Sequence, residues 1–90
     1  MDKKALIAKQ KNDIRFQEYQ IQYMDGKITW DEFEKELDLF EEQKKQIIKI
    51  DLELQELEID FEDGLISEKD FNLRKERLNN RIIKICEKRA

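Results

Sequence analysis

Histidine and proline are missing from this chain, and cysteine occurs only once and glycine twice among its 90 residues. With no His and one Cys, a zinc site of four Cys/His ligands cannot be assembled within one chain, and neither can a Ser-His-Asp or Cys-His catalytic arrangement. A single thiol forms no intrachain disulfide. The opening segment MDKKALIAKQKND lacks the apolar run, roughly 7 to 15 residues long, of a secretory signal. No apolar stretch approaches the ~20 residues that span a bilayer. The chain therefore reads as cytoplasmic, with no metal, cofactor or membrane partner expected. A chain this short buries only about 60 to 65% of its unfolded surface. One modest core and one domain, 1–90, are expected, with no large enclosed active site, and the protein is not expected to be an enzyme.

What is abundant is charge, 44% of residues with a formal net charge of −4, beside 39% hydrophobic residues. Scattered apolar residues in such a composition would mean disorder; Ile and Leu at regular spacing argue for helix instead. The chain also repeats itself once. Tyr23 to Phe33 (YMDGKITWDEF) aligns with Phe61 to Phe71 (FEDGLISEKDF) at an offset of 38 residues, and both glycines occupy the same place in the repeat.

Each copy carries a helix stop followed by a helix start. Gly26 and Gly64 suit the left-handed residue just past a helix end. Thr29 and Ser67 are N-caps, with Glu32 and Asp70 three residues later in capping-box positions, and Ile28/Phe33 and Ile66/Phe71 have the spacing of hydrophobic staples. These turns divide the chain into helices at about 2 to 24, 30 to 62 and 68 to 89. The fold class expected is all-α, a three-helix antiparallel bundle or coiled coil with a long central helix. Short turns fold the neighbours back, so the first helix should cover the central one from Trp30 to about Leu52, and the third from Glu62 back to about Phe40.

Apolar residues of the central helix fall on more than one stripe. Phe33, Leu37, Phe40, Ile47, Ile50, Leu54, Leu57 and Phe61 form one, while Leu39, Ile48, Leu52 and Ile59 lie off it. A two-faced helix implies two partners. The third helix offers Phe71, Leu78, Ile82 and Ile85 with Ile83 and Cys86 beside them. The first offers Ile7, Ile14, Ile21 and Met24, flanked by Phe16 and Tyr23, with Gln10 and Gln17 interrupting the seam. Charge is partitioned too: the helices carry +2, −9 and +4 in chain order and the turns −1. Exposed ion pairs are worth about 0 to 1 kcal/mol each, so this pattern selects register more than it supplies stability.

Several constellations invite functional readings. Asp-Gly-x-Ile-Thr/Ser-x-x-Glu/Asp-Phe looks like the second half of a calcium loop, but the first and third ligand positions fall on Ile21 and Tyr23, or on Ile59 and Phe61, where oxygen donors are required. The capping reading stands instead. The carboxylates of the central helix, such as the Asp38/Glu42 and Glu58/Glu62 pairs, have no burial to move them toward catalytic pKa values. They read as a solvated face, or as an acidic surface that mimics nucleic acid. The basic third helix, with Lys69, Arg74, Lys75, Arg77, Arg81, Lys84, Lys88 and Arg89, reads as a partner for that face. Direct nucleic-acid binding is not expected from a chain of negative net charge without a cluster of base-stacking aromatics. Cys86 reads as a small core residue.

The two turns, an apolar helix, Asp-Gly, Ile-Thr/Ser, acidic residues, Phe and helix, resemble the SHOCT short helical domains. They also resemble the antiparallel coiled-coil segment of large serine integrases of phages and mobile elements. The resemblance spans roughly residues 18 to 40 and 56 to 85 and implies a helical hairpin that mediates protein association. The chain has neither the recombinase catalytic segment nor the zinc-binding cysteines of the integrases, so it carries no implication of recombinase activity.

The reading reached is a non-enzymatic protein–protein interaction module, a small bacterial or phage regulator or adaptor acting through a helical surface, with a protein partner or a second copy of itself. Its candidate contact residues are Trp30, Phe33, Ile48, Leu52, Glu53, Glu56, Ile59 and Asp60. In the dimer form, Ile48→Asp and Leu54→Asp should each halve the solution mass. The alternative is an inhibitor whose acidic surface occupies a nucleic-acid-binding groove of a host protein. Reversing Glu53, Glu56 and Asp60 should then abolish binding.

Overall fold

A computed structural model describes residues 1–88 and contains three helices: α1 (Lys3–Met24), α2 (Trp30–Glu62) and α3 (Glu68–Glu87). No strand occurs among the described residues, and each helix packs on the other two, so the all-α three-helix bundle is the fold of the chain. The expected end of the third helix at 89, and the basic residue Arg89, lie outside the described residues.

Both turns close as the repeat requires. Gly26 and Gly64 each sit at φ 74°. At the first turn the Lys27 N–H donates to the Gln22 carbonyl (2.9 Å) and the Gly26 N–H to that of Tyr23 (3.1 Å). Leu65 and Gly64 repeat those two bonds to Asp60 and Phe61 at the same lengths. These are Schellman closures, and they satisfy carbonyls that a helix end leaves free. The Thr29 and Ser67 hydroxyl oxygens accept from the Glu32 and Asp70 N–H groups, both at 3.2 Å. The capping box is only half made. Glu32 takes the hydroxyl proton of Thr29 at 3.3 Å instead of reaching its backbone N–H. Asp2 caps α1, its carboxylate accepting from the Ala5 N–H at 2.8 Å.

With 33 residues, α2 is about 50 Å long at 1.5 Å per residue, and it sets the 55 Å length of a rod 18 Å across. α1 and α3 lie antiparallel to it from opposite ends and overlap only in the middle. There, Ala5 of α1, Ile47, Ile50 and Leu54 of α2, and Ile82 and Cys86 of α3 form one buried cluster. Toward the first turn the rod is two helices thick and held by aromatics. Phe16 stacks on Phe40 (centroids 4.3 Å apart), and Phe33 lies among Phe16, Tyr23 and Trp30 at 5.8, 5.2 and 5.7 Å. Toward the second turn, Phe61 stacks on Phe71 at 4.4 Å.

One expectation about α1 is overturned. Ile7, Ile14 and Ile21 do not face α2; they are 40%, 55% and 57% exposed, and Met24 is also exposed. The inward stripe is Ala5, Ala8, Asn12, Phe16 and Tyr19. The cause is steric. Where α1 enters the groove between α2 and α3, alanines permit an approach that isoleucines would overpack. Asn12 then lies where Gln10 and Gln17 were expected to interrupt the seam. Its Nδ2 donates to Gln43 Oε1 at 3.1 Å, while Gln43 Nε2 donates to the carbonyls of Ile85 (2.8 Å) and Lys88 (3.1 Å) at the end of α3.

Candidate interaction surface

The residues singled out from the sequence separate into three places. Trp30 and Phe33 belong to the aromatic cluster at the first turn. Phe33 is only 8% exposed and cannot serve as a surface contact, because α1 reaches this end and covers it; Trp30 remains about half exposed.

Glu53, Glu56 and Asp60 line a trough between α2 and α3, opposite Arg74, Arg77 and Arg81, with Leu57 and Leu78 at its floor. Glu53 Oε2 lies 3.6 Å from Arg81 Nη1. Of the three acids Glu53 is the one paired within the chain among the described residues, and both side chains of that pair are more than half exposed. Such pairing contributes about 0 to 1 kcal/mol per contact but neutralises the field that the acids would present to a basic groove.

Ile48, Leu52 and Ile59 stand apart from both. They are 53%, 53% and 56% exposed on the back of α2, with Gln55 between them at the remaining position of the stripe. The expectation that a second helix of the chain would cover this stripe is not met. α1 and α3 both dock on the single broad face formed by Gln43, Ile47, Ile50, Leu54 and Leu57, and helical periodicity turns positions 48, 52 and 59 away from it. Leu54, by contrast, is a core residue at 3% exposure, so Leu54→Asp would unfold the bundle instead of reporting on a surface.

Buried polar side chains at two levels of the rod escaped the sequence reading. Besides Asn12 and Gln43, Asn79 is 1% exposed; its Oδ1 accepts from the Asp2 N–H at 2.8 Å and its Nδ2 donates to the Lys75 carbonyl at 2.9 Å. The first of these bonds ties the start of α1 to α3, and the second, within α3, holds the amide in place for it. The available signal was Ala5, Asn12 and Tyr19 at intervals of seven, a stripe that the more hydrophobic Ile7, Ile14 and Ile21 obscured. A recess beside Asn12 and Gln43, lined also by Phe16 and Phe40 among others, measures about 20 Å³, room for about one water molecule.

Cys86 is buried against Ala5, and burial, with Asp13 adding to it, raises its thiol pKa; Lys9 and Arg15 oppose the shift. Among the described residues no three His, Cys, Asp or Glu side chains converge to hold a metal ion, and no helix is long and apolar enough to cross a membrane.

Fold and surface together define the class: an antiparallel three-helix rod that presents an uncovered apolar stripe on its central helix. Comparison of the chain with family models, with curated proteins and with solved structures finds no match.

Proposed function

We propose that this protein is a non-enzymatic association module, a small regulator or adaptor of bacterial or phage type that binds protein through the back of α2. The observation that carries the reading is the stripe of Ile48, Leu52 and Ile59, each more than half exposed and spaced so that one helix laid along α2 would cover all three. Trp30, half exposed at the first turn, extends the contact surface. The resemblance of both turns to association hairpins supports the same reading.

The alternative, an acidic inhibitor of a nucleic-acid-binding protein, has less to rest on, since Glu53, Glu56 and Asp60 face Arg74, Arg77 and Arg81 across the trough. One experiment compares the two. Tagged wild-type protein, an Ile48→Ser/Leu52→Ser/Ile59→Ser variant and a Glu53→Lys/Glu56→Lys/Asp60→Lys variant are used to capture bound protein, itself included, at two salt concentrations. The association reading expects the serine variant to lose its bound protein while keeping its helicity. Loss confined to the lysine variant, and to high salt for the wild type, would transfer the function to the acidic surface.

A further inference from the structure

From the order of charges along the stripe, and resting on the association reading above, we infer that the back of α2 pairs with the same face of a second copy. The two helices run antiparallel about a twofold axis, with Ile48 of one copy against Ile59 of the other. The stripe runs Lys45, Ile48, Leu52, Gln55, Ile59, Glu62, alternating steps of three and four residues, which is the seam of a coiled coil. It is basic at its N-terminal end and acidic at its C-terminal end. The flanks share that order: Lys49, Glu56 and Asp63 lie along one side and Lys44, Asp51 and Glu58 along the other. All of these side chains except Asp51 are exposed, and among the described residues none of them enters an ion pair within the chain.

The charge order decides the orientation. A parallel pair would set Lys45 against Lys45 and Glu62 against Glu62, and its flanking contacts would be Lys44 with Lys49, Asp51 with Glu56 and Glu58 with Asp63, every one of like sign. Reversing one copy matches opposite ends. Lys45 then meets Glu62, Lys49 meets Glu56, Ile48 meets Ile59, and Leu52 meets Gln55, each contact occurring twice as an isologous interface demands. Asp51 near Glu58 is the like-charge contact that remains, and Asp51 is already engaged, accepting from Gln55 Nε2 at 3.4 Å. The outward stripe of α1 shares that order on one flank only. Beside Ile7, Gln10, Ile14, Gln17 and Ile21 it carries Lys4, Lys11, Glu18 and Asp25 on one side, but Leu6, Asp13, Gln20 and Lys27 on the other, and two of its five seam positions are glutamines.

One helix laid on another with three apolar residues per copy makes an interface at the small end of specific ones, so association is expected with a dissociation constant on the order of micromolar. Sedimentation equilibrium of the full chain up to about 1 mM tests it, with circular dichroism confirming that each variant keeps its helicity. Wild type should move from one chain to two. Ile48→Asp and Ile59→Asp should each weaken association at least about tenfold, whereas Ile14→Asp should leave it unchanged. Lys45→Glu/Lys49→Glu should weaken it by a similar factor, and adding Glu62→Lys to that variant, away from the trough that Glu56 also lines, should recover part of it. A dimer indifferent to the double charge change, or one lost with Ile14→Asp, overturns the register. Wild type that stays a single chain throughout overturns the second copy as occupant. In that event, capture of another protein that depends on Ile48, Leu52 and Ile59 would leave the association reading standing, and capture indifferent to them would remove both.

Discussion

Gly26 and Gly64 separate two costs that usually arrive together. Each holds φ 74°, and a Cβ built on either one meets nothing within 4 Å. Replacement by alanine therefore introduces no collision with the rest of the molecule and leaves only the strain of an L residue in the left-handed region, about 1 to 2 kcal/mol. Gly26→Ala and Gly64→Ala should each lower unfolding free energy by about 1 kcal/mol in urea, with equal slopes, and the double variant should lose the sum, because the turns are at opposite ends of the rod. A loss at one turn several times that at the other would show that the two halves of the repeat are not equivalent. Residues of this kind were legible in the sequence, since a cap or a left-handed glycine depends on its immediate neighbours. Asn12, Gln43 and Asn79 were not. Whether a buried amide is satisfied depends on what a distant helix places beside it, as with Gln43 and the carbonyls of Ile85 and Lys88, 42 and 45 residues away.

Helix α1 shows where sequence periodicity stops being informative. Its most hydrophobic stripe, Ile7, Ile14 and Ile21, faces out, and its inward stripe begins with two alanines. In α2 the buried residues Phe33, Ile47, Ile50, Leu54 and Leu57 all belong to its main hydrophobic stripe, and in α3 Phe71 and Ile82 are buried as their spacing suggests. The difference is that α1 must fit a groove already lined by two helices, so volume, not hydrophobicity, selects its inner face. Two substitutions measure this. Ala5→Leu adds bulk where Ala5 is fully buried against Ile82 and Cys86, and should cost about 1 to 3 kcal/mol. Ile14→Gln removes an isoleucine from the exposed face and should change stability by no more than about 0.5 kcal/mol. Urea midpoints of the two variants decide it, and a larger loss for Ile14→Gln would place the isoleucine stripe, not the alanines, against the bundle.

At the scale of the whole molecule the rod has one shared segment, the middle of α2, where both flanking helices meet, and Cys86 lies at that junction. It is 2% exposed and buried against Ala5. The first turns of α1 are held there by Met1, Ala5 and Ala8 and by the bond from the Asp2 N–H to Asn79. The aromatic residues that anchor α1 to α2, Phe16 and Tyr23, lie farther along the helix. Releasing this segment uncovers one end of the core and leaves the aromatic anchor in place, so it should open below the free energy of global unfolding. Labelling of Cys86 by a thiol reagent should accordingly show, at low urea concentrations, a slope well below that of global unfolding, because the slope of an opening reaction scales with the surface it exposes. A rate that climbs from the first additions of urea with the slope of global unfolding would mean that α1 stays docked until the bundle unfolds. The same thiol carries a pH signature of fixed sign. Burial raises its pKa in the folded state, so folded chains keep a proton that unfolded chains release near about pH 8.5. The stability linked to that proton is complete below the unfolded value and declines as pH rises through the folded one. The wild-type urea midpoint should thus fall more steeply above about pH 8.5 than that of Cys86→Ala, which lacks the titrating group. Parallel profiles would mean that the thiol is solvated through the same local opening that labelling detects.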